Sequence, residues 1–181
     1  MKKILKRGFY IMKAKGRHGT HSPFVYAFVE KVLRDKTKFV LQNNVAPFSK
    51  KETAILGRAL QYLKPVVVYA DDAMAPFLKQ LQLSNTTLHF EIQPMLDESN
   101  YIKDGLFFCL PTEKNVAFLK KQFSKQSQAA IVLHQHKTKE AFEIWESLGE
   151  DLQMKMVMDV WHFGFVSNHS DFKMKQFFRL R

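Results

Sequence analysis

Apolar residues along this chain recur with two different periods, and the change falls near residue 65. Before it the spacing is helical. Residues 2–15 predict a short basic helix with Ile4, Leu5, Tyr10 and Met12 among its apolar members, broken by Gly16-Arg17-His18-Gly19. Ser22 followed by Pro23 predicts a second helix start. A serine oxygen there accepts from an orphaned backbone N–H, and proline at the first helical position lacks only a hydrogen that nothing would use. Phe24, Val25, Phe28, Val29, Val32 and Leu33 then form one apolar stripe. Residues 36–49 predict a loop containing Pro47. Ser49 and Glu52 have capping-box spacing for a helix over 50–63, whose apolar face is Ile55, Leu56, Ala59, Leu60 and Leu63.

From Pro65 onward, short apolar runs alternate with amphipathic stretches. Strands are predicted at 66–70, 86–92, 105–110 and 129–134, and helices at 73–83, 112–125 and 138–149. This alternation predicts a largely parallel sheet covered on both faces. The end of the chain differs. Segments 153–159, 162–167 and 172–180 are strand-like, with tight connections at Val160-Trp161 and Asn168–Asp171 that predict antiparallel pairing. The expected fold class is α/β: a three-layer Rossmann-like arrangement whose mostly parallel sheet ends in a C-terminal antiparallel hairpin, preceded by a helical extension. Two regions are expected, a basic helical extension over 1–48 and a Rossmann-like domain over 49–181.

A chain of 181 residues suits one domain and can bury its core without covalent staples. Cys109 is the only cysteine, which excludes an internal disulfide and a multi-cysteine zinc site and makes a reducing, cytoplasmic setting the expectation. The net charge of +11 becomes informative once located. Residues 1–38 hold eleven Lys/Arg against only Glu30 and Asp35, while the rest is nearly neutral. Such a segment attracts phosphates, an anionic lipid surface or an acidic partner, or else forms a solvated helix face. The apolar run Gly8–Met12 is far shorter than the roughly 20 residues that cross a bilayer. Lys13, Lys15 and Arg17 follow it at once, with no small-residue cleavage site, so no signal peptide is expected.

Three stretches carry a family resemblance. One is Arg17-His18-Gly19-Thr20-His21-Ser22-Pro23-Phe24-Val25. Another is Lys51–Pro65 running into Val66-Val67-Val68. The last runs from Ile131-Val132-Leu133 through Ala141–Trp145 to Asp159-Val160-Trp161-His162-Phe163-Gly164 and Phe178-Arg179-Leu180. Together they resemble a group of bacterial class I S-adenosylmethionine-dependent methyltransferases, the first being similar to that group's N-terminal signature. The match is weakest between about 70 and 103.

The resemblance implies a methyltransferase sheet and a pocket that positions a methyl donor in line with its acceptor. The family's glycine-rich turn after strand one lets backbone approach the cofactor. This chain has no glycine between Gly57 and Gly105, and Ala70-Asp71-Asp72-Ala73-Met74 stands at the turn, with Asp72 expected to cap the next helix. Glu91 matches the acidic residue that ends strand two and holds the ribose. The adenine wall comes from a third strand, but the twelve residues Ile92–Lys103, Pro94 among them, are too few for a helix and a returning strand. The usual third strand is therefore expected to be missing. The ends of strands four and five read Phe108-Cys109 and Leu133-His134-Gln135, with no carboxylate for a hard cation, so no metal is expected.

The resemblance thus places the pocket at Ala70, Asp71, Asp72, Glu91 and Cys109, with no catalytic residue assigned. No cofactor is expected; S-adenosylmethionine is the one a surviving pocket would take. Several side chains carry two readings each. His134 and His136 fall on one side of a strand end, as soft-metal ligands or as surface and helix-entry residues. Cys109 is a nucleophile beside His134, or inert packing. His18 and His21 serve a turn, and Phe9, Tyr10 and Phe24 form core or a docking patch. Three functions follow: a degenerate, non-catalytic interaction or scaffold protein with a protein partner or a homo-oligomeric state; an active methyltransferase with a rebuilt pocket; or a binder of an anionic surface, membrane or nucleic acid, through residues 1–38.

Overall fold

The structure, a computed structural model, describes residues 22–39, 48–95, 105–134, 138–161 and 163–180. The predicted helix at 2–15, His18, His21 and His136 lie outside the described residues.

Helix α1 (Pro23–Phe28) begins where Ser22-Pro23 predicts, with Ser22 Oγ accepting from the Val25 N–H at 3.5 Å. The predicted helix does not stay α-helical: Val29–Arg34 continue it as a π-helix. The carbonyls near its end are capped from outside. Buried Arg58, on helix α2 (Lys50–Leu63), donates from Nε to the Val32 carbonyl at 2.7 Å and from Nη1 to the Thr37 carbonyl at 2.8 Å. Arg58→Met keeps the apolar stem and removes both bonds. Charged-donor bonds contribute about 1.5–3 kcal/mol each before relaxation, so a loss of about 2–3 kcal/mol is expected. A urea midpoint that does not move would show that α1 is held by its apolar stripe alone. The Ser49–Glu52 capping box forms as predicted, Ser49 N–H donating to Glu52 Oε2 at 2.6 Å and Glu52 N–H to Ser49 Oγ at 3.3 Å.

The remaining chain alternates β1 (Val67–Ala70), α3 (Ala75–Ser84), β2 (Glu91–Pro94), β3 (Leu106–Cys109), α4 (Glu113–Lys125), β4 (Ala129–Val132), α5 (Lys139–Glu150), β5 (Met156–Asp159), β6 (Gly164–Ser167) and β7 (Gln176–Arg179). The strands form one sheet in the order β2-β1-β3-β4-β6-β5-β7. Strands β1 to β4 run parallel, and β6 is antiparallel to both β4 and β5. The expected α/β class, a mostly parallel sheet with an antiparallel hairpin, is the observed one. Among the described residues, no helix is long and apolar enough to cross a membrane.

Two strand expectations are corrected. The segment at 172–180 does not pair antiparallel: β7 lies parallel to β5. The reason is space, since β6 already has β4 on one side and β5 on the other, so a following strand can only add beyond β5. The strand predicted at 86–92 begins later, at Glu91. Thr86 and Thr87 have strand-forming side chains but lie in a turn at the end of α3, where the Leu88 N–H donates to the Asn85 carbonyl at 3.1 Å and Gln82 Nε2 to the Phe90 carbonyl at 2.7 Å.

Alternation along the strands splits the core into two layers. Val68, Ala70, Phe108 and Ile131 join α1, α2 and α3 on one face. Val67, Tyr69, Phe107, Cys109 and Val132 join α4 and α5 on the other. Residues of the N-terminal extension, Val25, Phe28, Val29 and Val32, are therefore part of the same core as the sheet. On the second face, fully buried Trp145 lies against Gly164, where any Cβ would overlap its indole.

Candidate functional site

Open parallel sheets bind ligands beyond the carboxyl ends of their strands, at the point where strand order reverses. Here the chain places β2 on one side of β1 and β3 on the other, so that point lies beyond Ala70 and Cys109. The residue there is Asp71. Its Oδ1 accepts from the Met74 N–H at 2.9 Å. Its Oδ2 accepts from the Leu110 N–H at 2.7 Å and from Asn115 Nδ2 at 3.0 Å. Asn115 Nδ2 also donates to the Leu110 carbonyl at 3.0 Å. The Asp71 backbone adds an N–H bond to the Phe108 carbonyl at 3.3 Å and a carbonyl that accepts from Ala75 at 3.0 Å. One carboxylate thus stitches the corner after β1 to the corner after β3. Burial pushes the Asp71 carboxyl up from its ordinary value, against the opposing pull of the Leu110, Met74 and Asn115 bonds.

Of the five residues placed in the pocket by sequence, Ala70, Asp71 and Cys109 come together where β1 and β3 end, whereas Asp72 and Glu91 take other positions. Ala70 is buried and closes β1, and Asp71 follows it. Asp72 is exposed and does not cap α3; Asp71 bonds the Met74 N–H in its place. Glu91 opens β2 rather than ending it. It pairs in register with Val67 at the start of β1, and its carboxylate accepts from Gln93 Nε2 at 2.8 Å. Three residues of strand, about 10 Å, separate it from the carboxyl edge. Cys109 ends β3 but is fully buried in the layer under α4 and α5. Burial, with the Asp71 charge adding to it, pushes its thiol well up, so it packs as an apolar group and not as a nucleophile.

Beneath the corner the space is filled. Met74, Phe77 and Phe108 are all buried, the Phe77 ring stacks on Phe108 at 6.2 Å, and Phe48 packs edge-on against Phe77 at 4.7 Å.

A second polar cluster lies at the ends of β4, β5 and β7. His134 is not at the surface: it is buried, with its ring stacked on Trp145 at 5.1 Å. Its Nε2 lies 3.4 Å from Asp159 Oδ1, an ion-pair distance. Asp159 is fully buried and also accepts from the Trp161 N–H at 3.2 Å and from Arg179 Nε at 3.3 Å. This cluster ties three strand ends together. Sequence reading named His134 but not its pairing with Asp159 and Arg179, and it passed over Asn115. A carboxylate ending an apolar strand run, as Asp159 does, was the available signal. Among the described residues, no group of three or more His, Cys, Asp or Glu side chains converges as metal ligands would.

No protein-family model, no curated protein and no solved structure matches this chain.

Proposed function

We propose that this chain is a methyltransferase-type Rossmann-like protein that has lost its third strand and its cofactor pocket, and that it works as a non-catalytic interaction or scaffold protein. The layout supports the relationship: a parallel sheet closed by an antiparallel hairpin is what the family resemblance implies. Among the described residues β2 borders β1 alone, in keeping with a missing neighbour, and Pro94, which has no N–H to give, is tolerated on such an edge.

The observation that carries the functional reading is the engagement of Asp71. A methyl donor held at the first corner needs backbone N–H groups and small residues facing it. Here the Met74 and Leu110 N–H groups face Asp71, and Asn115 bonds both Asp71 and Leu110. With Glu91 at the far end of its strand and Cys109 packed in the opposite layer, the residues present do not fit the donor, and no transfer step is assigned to them. The aromatic filling by Phe77 and Phe108 argues in the same direction against a rebuilt pocket. Titration calorimetry of the full chain with S-adenosylmethionine is expected to give no saturable heat up to about 1 mM, equivalent to binding weaker than about −4 kcal/mol. A micromolar dissociation constant would overturn the reading.

A further inference from the structure

Helices α4 and α5 lie side by side on the sheet face opposite α1, and between them runs a groove of about 460 Å³. Val116, Ala117 and Ile144 give it an apolar floor, and Glu113, Glu140 and Glu143 stand along its rims. The rim's one lysine, Lys120, reaches Asp151 at 3.9 Å. Lys139 pairs with Glu143 at 3.2 Å, but both are largely exposed and such a pair is weak. Helix α5 carries Glu140, Glu143, Glu146 and Glu150 against that single lysine, in a chain whose net charge is +11.

We propose that this groove receives the basic segment 2–15 of a second copy of the chain, exchanged reciprocally in a dimer. Charge is the first argument. Residues 1–21 contain seven Lys/Arg and no Asp or Glu, so they complement α5, the most acidic of the described helices. Pattern is the second. Leu5, Phe9 and Met12 stand at i, i+4 and i+7, a stripe of two helical turns, about 10 Å. The groove runs from Glu113 to Lys120 on one helix and from Glu140 to Ser147 on the other, also two turns each. Gly8 weakens the segment as an isolated helix, so an apolar partner surface has to stabilise it.

Reach decides between the chain's own groove and that of a second copy. Helix α1 belongs to the opposite layer. Helix layers on the two faces of a sheet lie about 20 Å apart through it, and any path around an edge is longer. Residues 16–21 span at most about 20 Å when fully extended. Taken up as a helix, segment 2–15 therefore meets another copy's groove, and reciprocal exchange closes a two-fold dimer. Neither Asp71 nor the Met74, Leu110 and Asn115 groups it bonds line the groove, so S-adenosylmethionine binding at that corner would leave this inference untouched.

Sedimentation velocity on the full chain at low salt and about 0.1 mM is expected to show a dimer that dissociates at high salt. Glu140→Lys with Glu143→Lys should weaken it about tenfold or more, and so should Lys2, Lys3, Lys6 and Arg7 each changed to Glu. Mixing the two variants should restore a 1:1 dimer, which a merely misfolded variant would not do. A wild-type chain that stays monomeric, a dimer indifferent to both reversals and to salt, or a mixture that fails to associate would each overturn the proposal.

Discussion

Trp145→Ala is expected to lower the free energy of unfolding by about 3–5 kcal/mol, the range for truncating a large buried aromatic whose cavity does not collapse. The indole is fully buried, stacks on His134 and rests on the bare backbone of Gly164. Its removal takes packing from α5, from the end of β4 and from β6 together, and leaves His134 and Asp159 bordering a hole. Gly164→Ala probes the same contact from the other side. It inserts a methyl group where the ring already lies, at a cost of about 1–3 kcal/mol or more. Urea titrations followed by circular dichroism measure both. A loss under about 1 kcal/mol for the tryptophan would mean that α5 is held elsewhere.

Asp71→Ala should cost about 2–4 kcal/mol, because it strips the acceptor from three donors at a half-buried corner. The pH dependence gives a sharper test. Burial raises the folded-state value of this carboxyl, so the folded chain holds the proton more firmly than the unfolded chain does. The contribution is present in full below the unfolded carboxylate range. It is lost as pH rises from near 3.8 through the raised value. Measured against Asp71→Asn, which cannot titrate, wild-type stability should therefore fall across that window and level off above it. A difference that grows with pH would mean that the Leu110, Met74 and Asn115 bonds outweigh desolvation.

Much of the architecture was legible because it follows from local chemistry. Ser22-Pro23, the Ser49–Glu52 box and the alternation of apolar runs after Pro65 each act within a few residues, and each produced its element. What failed depended on distant parts of the chain. Whether 172–180 pairs with β6 or passes it is decided by β4, which occupies the far edge of β6. The choice between Asp71 and Asp72 is set by the Leu110 N–H and by Asn115, 39 and 44 residues further on. Glu91 was assigned to a strand end because Thr86 and Thr87 looked like strand residues, although Asn85 and Gln82 draw them into a turn. His134 reads as a polar residue at the mouth of a helix until Asp159 and Arg179 arrive beside it from other strands.

The position of β6 has a consequence for synthesis. Until residues 164–167 leave the ribosome, β4 ends the growing sheet with an open, apolar border, because its neighbour on that side has not been made. The N-terminal helix is left half seated as well: α2 supplies Arg58 and Tyr62 early, but Phe24 also packs on Phe165 at 5.7 Å and on Phe172 at 5.4 Å, so the other side of the earliest described helix is covered only by the latest part of the chain. A nascent chain stalled before residue 164 would therefore expose sticky surface at both of its ends, and a chain trimmed there should be captured by chaperones rather than accumulate as a smaller folded unit.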